Sequence, residues 1–133
     1  MNAAHLSTGI RAFRPFLPAR DFSTSLRFYE ALGFQSHLLG EAMAELRLDA
    51  HAFILHHRDA EASASDAVMH VLVDNIQAWW RHFDSLDLAG QFAVPAPAPP
   101  RAEPWGLTVV YLSDPSGTLW HFAQDTGSLT AVP

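Results

Sequence analysis

Eight histidines and no cysteine set the chemical inventory of this chain. Without thiols there is neither a disulfide framework nor a thiolate metal site, so an imidazole must act as metal ligand, proton carrier or plain hydrogen-bonding group. Three histidines lie inside apolar runs: His56 in A-F-I-L-H-H, His70 in V-M-H-V-L-V and His121 in T-L-W-H-F-A. Side chains alternate along a strand, so Ile54 and His56 share one face, as do Val68 and His70. His56, His70 and His121 are thereby placed to point into one cleft. Three ligands there would suit a divalent metal with an open position for substrate. The competing reading is that each strand histidine finds a hydrogen-bond partner. His5, His37, His51 and His82 read as surface residues, and His57 faces away from His56.

Trp105 is the other conspicuous group. It stands in P-W-G at a loop edge, a poor place for core packing, and points to ligand contact; tryptophan at a dimer interface or in the core is the alternative. Tyr111 joins the cleft if its strand has the same phase. No serine is flanked as G-x-S-x-G, and the seven glycines are scattered rather than gathered into a phosphate loop. Glu41, Glu45 and Asp49 read as solvated charge.

These residues need elements to hold them. The stretch Glu103–Gln124, E-P-W-G-L-T-V-V-Y-L-S-D-P-S-G-T-L-W-H-F-A-Q, is two apolar runs around a D-P-S-G turn, a hairpin pattern. Upstream, Ala12–Ala19 reads as a strand whose prolines confine it to an edge. A helix follows, capped by Asp21 or Ser23, with Leu26, Tyr29 or Glu30, and Leu32 at helical spacing and Gly33 as a left-handed end. Phe34–Leu39, Ala42–Leu48 and Ala52–His57 read as strands. Val68–Val73 is a strand, Asn75 a cap, and I-Q-A-W-W-R-H-F-D-S-L a helix burying Ile76, Trp80, Phe83 and Leu86, with Gly90 just past its end. Trp79 reads as a flank of the core. The halves align at an offset of 54 residues, Asp21 with Asn75, Leu26 with Trp80, Tyr29 with Phe83 and Leu32 with Leu86, as an internal duplication would. Phe53, Leu55, Val71, Val73, Trp120 and Phe122 are the expected core. Between the second helix and the hairpin lie five prolines, at positions 95, 97, 99, 100 and 104, read as a cleft rim or a plain surface loop.

The 133 residues, 49% hydrophobic and 17% charged, fit one domain over residues 1–133 with modules at about 12–57 and 67–124. A net charge of −6 argues against a nucleic-acid partner. No apolar run approaches a membrane span, and the first residues lack the basic start and apolar stretch of a secretory signal. A cytoplasmic protein with no membrane partner is expected.

The residues A-R-D-F-S-T-S-L-R-F-Y-E-A-L-G-F, followed by P-W-G and D-P-S-G-T-L-W-H-F, resemble the glyoxalase/bleomycin-resistance/extradiol-dioxygenase superfamily, the vicinal oxygen chelate proteins. Within it they look most like the bleomycin-resistance proteins, and the resemblance runs from about Arg14 to Gln124. It implies an α+β fold of paired βαβββ modules forming a curved mixed sheet with helices on the outer face. It also implies a homodimer whose clefts are built between modules of both chains, with Pro15 where an N-terminal arm crosses to the partner.

The enzymes of this superfamily hold a metal at positions that match Arg14, Val68 and His121 here. Arg14 is a permanent cation and Val68 has no donor atom, so no metal cofactor and no catalytic residue are expected. The alternative is a divalent metal on His56, His70 and His121, serving a glyoxalase- or dioxygenase-type enzyme. In the bleomycin-resistance branch the resemblance implies sequestration of a large cationic drug between two aromatic walls. Trp105 matches one wall; the other falls on Met43, which is flexible and holds no plane. The expected protein therefore binds an apolar or aromatic small molecule, with a cationic group allowed. Its expected contacts are Trp105, Met43, Ile54, His56, His70, Tyr111 and His121.

Overall fold

The computed structural model of the chain describes residues 3–59 and 66–125. In chain order these form α1 (Ala4–Ser7), β1 (Phe16–Ala19), α2 (Phe22–Leu32), β2 (Gln35–Gly40), β3 (Met43–Leu48), β4 (His51–His57), β5 (Val68–Leu72), α3 (Ile76–Asp84), α4 (Leu88–Phe92), β6 (Arg101–Ala102), β7 (Leu107–Ser113) and β8 (Leu119–Asp125). Two four-stranded mixed sheets result, ordered β1-β4-β3-β2 and β5-β8-β7-β6. Each has one parallel pair, β1 with β4 and β5 with β8, and antiparallel pairs elsewhere. The fold is therefore α+β with the βαβββ arrangement. No helix of the described residues is long and apolar enough to cross a membrane.

Local chemistry explains the repeat. The Asp21 side chain accepts from the Thr24 backbone N–H, and Asn75, 54 positions later, accepts from Ala78 N–H. Each satisfies one of the free donors at its helix start. At the far end of α2, Gly33 takes φ 117°, where a side chain would strain. Its N–H bonds to Glu30 O, and the Phe34 N–H bonds to Tyr29 O, closing the last turn.

Some expectations need correction. The first strand is shorter than Ala12–Ala19. Pro15 and Pro18 carry no N–H, and pairing with β4 runs only over Phe16–Ala19. The second helix stops at Asp84, and the unforeseen α4 encloses Gly90. The Asp87 side chain caps it, accepting from the Gly90 N–H. His82 is half-buried, not a surface residue, and its Nε2 lies 2.8 Å from Leu32 O, tying α3 to the end of α2. Trp79 does flank the core, its ring 5.1 Å from Phe122 and 5.8 Å from Phe83 between centroids.

The core lies between the helices and one face of each sheet. Phe53, Leu55, Trp120 and Phe122 are buried there as expected, while Val71 and Val73 pack partly buried against them. Tyr29, Phe34, Phe53 and Trp120 join the halves as a cluster of rings with centroids 4.9–5.7 Å apart. One polar chain runs through this cluster. Trp120 Nε1 donates to the Tyr29 hydroxyl at 2.9 Å, which donates to Asp114 Oδ2 at 2.5 Å. Asp114 Oδ1 accepts from the Ser116 and Thr118 N–H groups, so the carboxylate that shapes the D-P-S-G turn also anchors α2. Burial, and then the Asp114 charge, push the Tyr29 phenol well above its ordinary range, so it stays a donor. Burial likewise raises Asp114 against the lowering effect of its hydrogen bonds.

Candidate functional site

Because β-strand side chains alternate, burying Phe53, Leu55, Trp120 and Phe122 turns their neighbours to the opposite face of each sheet. On the sheet of β5–β8 the register sets Tyr111, His121 and His70 in one row across β7, β8 and β5. The ring of His121 is 4.9 Å from Tyr111, 5.8 Å from His70 and 6.1 Å from Trp105, centroid to centroid. Trp105 itself is 48% exposed, held beside Gly106, which takes φ 92°. Four of the expected contact residues, Trp105, Tyr111, His121 and His70, thus form one aromatic group. Desolvation lowers the His121 imidazole below its ordinary range, the charge of His70 lowers it further, and Glu103 opposes both.

The other expected contacts stand on the sheet of β1–β4. Met43 pairs with His56 across β3 and β4, and Ile54 lies between Glu45 and Phe16 in the register. Ile54 is only 4% exposed, so it forms a floor rather than a contact surface. His56, its imidazole lowered chiefly by burial and then by Arg58, touches the Phe16 ring at 5.3 Å. Spacing alone had allowed His56 to share a cleft with His70 and His121. Within the chain it stands on the other sheet, and among the described residues no group of three histidines or carboxylates is arranged to hold a metal ion.

The positions that serve as metal ligands in the resemblance fare no better. Arg14 Nε is 3.0 Å from Glu45 Oε2, and Val68 carries no donor. With a guanidinium at one position and an alkyl side chain at another, these residues do not fit a chelated ion.

Two residues escaped the sequence reading. Phe16 is 57% exposed and supplies an aromatic ring against His56, whose partner across β3 is Met43. Its signal was available, since it lies two residues after Arg14 and so shares its phase. Glu103 is the second. Its side chain is only 9% exposed, it accepts a hydrogen bond from the Tyr111 hydroxyl, and Arg101 Nε is 3.5 Å away. The Tyr111 phenol is raised by burial and then by this carboxylate.

The family model described as Glyoxalase/Bleomycin resistance protein/Dioxygenase superfamily matches residues 5–122. Among solved structures, a bleomycin-binding protein complexed with bleomycin is 26% identical, with a TM-score of 0.71, over 86% of this chain and 98% of that one. A bleomycin resistance determinant encoded on the transposon Tn5 is also 26% identical, with a TM-score of 0.69, over 88% and 99%. The lactoylglutathione lyase from Agrobacterium tumefaciens shares the fold at 20% identity and a TM-score of 0.62, over 86% and 92%. Among curated proteins none matches this sequence.

Proposed function

The chain belongs to the Glyoxalase/Bleomycin resistance protein/Dioxygenase superfamily, and from that premise we propose that it is a metal-independent small-molecule binder. It sequesters an apolar or aromatic ligand, cationic groups admitted, in a cleft completed by a second copy of the chain. The observation that carries this reading is the half-exposed Trp105 ring set over His121, beside Tyr111 and His70. A flat ring laid on the indole gains about 0.5–1.5 kcal/mol beyond the area it buries.

A second copy is favoured by what each sheet leaves uncovered. Phe16 on β1 and Val68 and Leu72 on β5 are exposed apolar residues of the strands. Val68 and Leu72 share the phase of His70, so a partner laid on that face would cover them together with the site. A ligand held only by Trp105 and its neighbours would be open to water on one side; the Phe16–Met43–His56 group of a partner would supply the missing wall. The two bleomycin proteins above, similar along nearly their whole length, favour sequestration as the purpose.

The test is titration of the purified chain with bleomycin and with simpler flat heteroaromatics, read by tryptophan fluorescence. Trp105→Ala should weaken binding about 10- to 100-fold, as loss of a stacking anchor does. Undiminished binding by that variant refutes the site. Stoichiometric Zn, Ni, Mn or Fe held through His70 and His121 would refute metal independence and favour the enzyme reading.

A further inference from the structure

Two carboxylates are held in hydrogen-bonded or ion-paired positions beside the aromatic groups just described, and they are not equivalent. Glu45, beside Ile54 in the register, lies within 3.0 Å of both Arg14 Nε and Arg47 Nη2. Two guanidinium groups saturate its charge. Glu103 has a different shell. Its Oε2 accepts from the Tyr111 phenol, and its cation partner is Arg101, at the longer distance of 3.5 Å and with a side chain 75% exposed. An ion pair with so exposed a partner is worth little, because water and salt compete for it.

Glu103 itself is nearly buried, so its charge acts through fewer intervening waters than a surface carboxylate. The backbone fixes it further: Glu103 N–H bonds to Leu107 O and Gly106 N–H bonds to Glu103 O, closing the turn that carries Trp105. The residue that sets this carboxylate is thus two positions from the stacking indole. The same phenol that holds it lies against the His121 ring.

We propose that Glu103 is the specificity-determining residue of the site, selecting a flat ligand that bears a positive charge, and that Arg101 is the resident counter-ion which the ligand's cation displaces. This rests on the ligand-binding reading of Trp105 and deepens it. Stacking on Trp105 favours a cation modestly by itself, so the share of the preference that belongs to Glu103 is the part its carboxylate supplies: pre-oriented and partly desolvated, it rewards a cation that Arg101 neutralises only weakly. Tyr111 is then a positioning residue, holding the carboxylate through its hydroxyl.

The experiment uses two dyes of nearly one shape, N-methylacridinium, a permanent cation, and acridine, neutral at pH 7.5. Both are titrated calorimetrically into the full chain at low salt. The wild-type protein should bind the cation about tenfold or more tightly than the neutral dye, the range of one charge-assisted contact. Glu103→Gln, nearly isosteric, should remove most of that preference, weakening the cation far more than acridine. Arg101→Gln should widen the preference by severalfold, because the competing cation is gone. Tyr111→Phe should reduce the preference without abolishing acridine binding. Equal affinity of the wild-type protein for both dyes overturns the assignment, as does a Glu103→Gln variant, folded by circular dichroism, that weakens both equally. If neither dye binds, the ligand-binding reading itself fails and the assignment falls with it; binding of both dyes without preference refutes the role of Glu103 alone.

Discussion

The Trp120–Tyr29–Asp114 chain yields a quantitative prediction for the single substitution Tyr29→Phe. Removing the hydroxyl leaves the ring in its aromatic cluster, so packing loss is small. Two buried partners lose their bond: Asp114 Oδ2, whose donor stood at 2.5 Å, and Trp120 Nε1, whose acceptor stood at 2.9 Å. A hydrogen bond to a charged group contributes about 1.5–3 kcal/mol, and an unpaired buried donor costs about 1–3 kcal/mol. Partial relaxation brings the sum to about 2–4 kcal/mol. For a domain of this size each kcal/mol moves Tm by about 3–5 °C. A melting shift of about 6–20 °C follows, measured by circular dichroism or calorimetry, with denaturant titration giving the free energy. The pH dependence supplies a second check. Asp114 has a folded-state value above its unfolded one, so it binds its proton earlier in the folded chain as pH falls. Its proton uptake favours folding below the unfolded value, and that contribution is lost as pH rises through the folded one. As Asp114 protonates, the charged bond to Tyr29 becomes a neutral one, and the penalty of Tyr29→Phe should shrink toward acid pH. A loss under about 0.5 kcal/mol at pH 7.5 would show that the hydroxyl is replaceable and would refute the argument. A double-mutant cycle with Asp114→Asn should give a coupling of about 1–2 kcal/mol.

Cation binding should also weaken with acid. His121 stays neutral to a lower pH than a free histidine, and it faces His70 from β5, Tyr111 from β7, and Trp105 and Glu103 from the turn before β7, with Arg101 beyond. Affinity for N-methylacridinium should be constant above the ordinary histidine range and fall as His121 gains its proton below it, while acridine is compared only above its own protonation range; an unchanged pH profile in His121→Gln would refute the role of that imidazole. The folded-state lowering also means that His121 contributes stability above its unfolded value, which is lost as pH falls through the folded one. Thr118 presents a different case, since its Oγ1 is buried and has no hydrogen-bond partner among the described residues. Thr118→Val should change stability by less than about 0.5 kcal/mol in either direction, because no bond is lost and a costly desolvated hydroxyl is removed; a loss above about 1.5 kcal/mol on chemical denaturation would show that the hydroxyl has a partner.

What the sequence made legible was whatever short-range chemistry decides. The caps at Asp21 and Asn75, the left-handed Gly33 and the alternation around Phe53 and Trp120 each follow from a few adjacent residues, and they carried the repeat, the succession of elements along the chain and the core faces. The omissions share a physical character. Phase tells which side of a sheet a residue takes but not which sheet faces which, so within one chain His56 stands on a different sheet from His70 and His121 despite their common period. Alternation likewise puts Ile54 on the open face but cannot foresee that Phe16 and Glu45 cover it. Glu103 was hidden for a related reason: β6 is only two residues long, and its pairing of Arg101 with Val109 is what brings a loop carboxylate to the Tyr111 hydroxyl. The same limit explains why F-Y and D-P-S-G, read as separate markers of one family, turn out to be one feature. Tyr29 and Asp114 are 85 residues apart and joined by a single hydrogen bond, so the motif that names the fold is also the bolt that closes it.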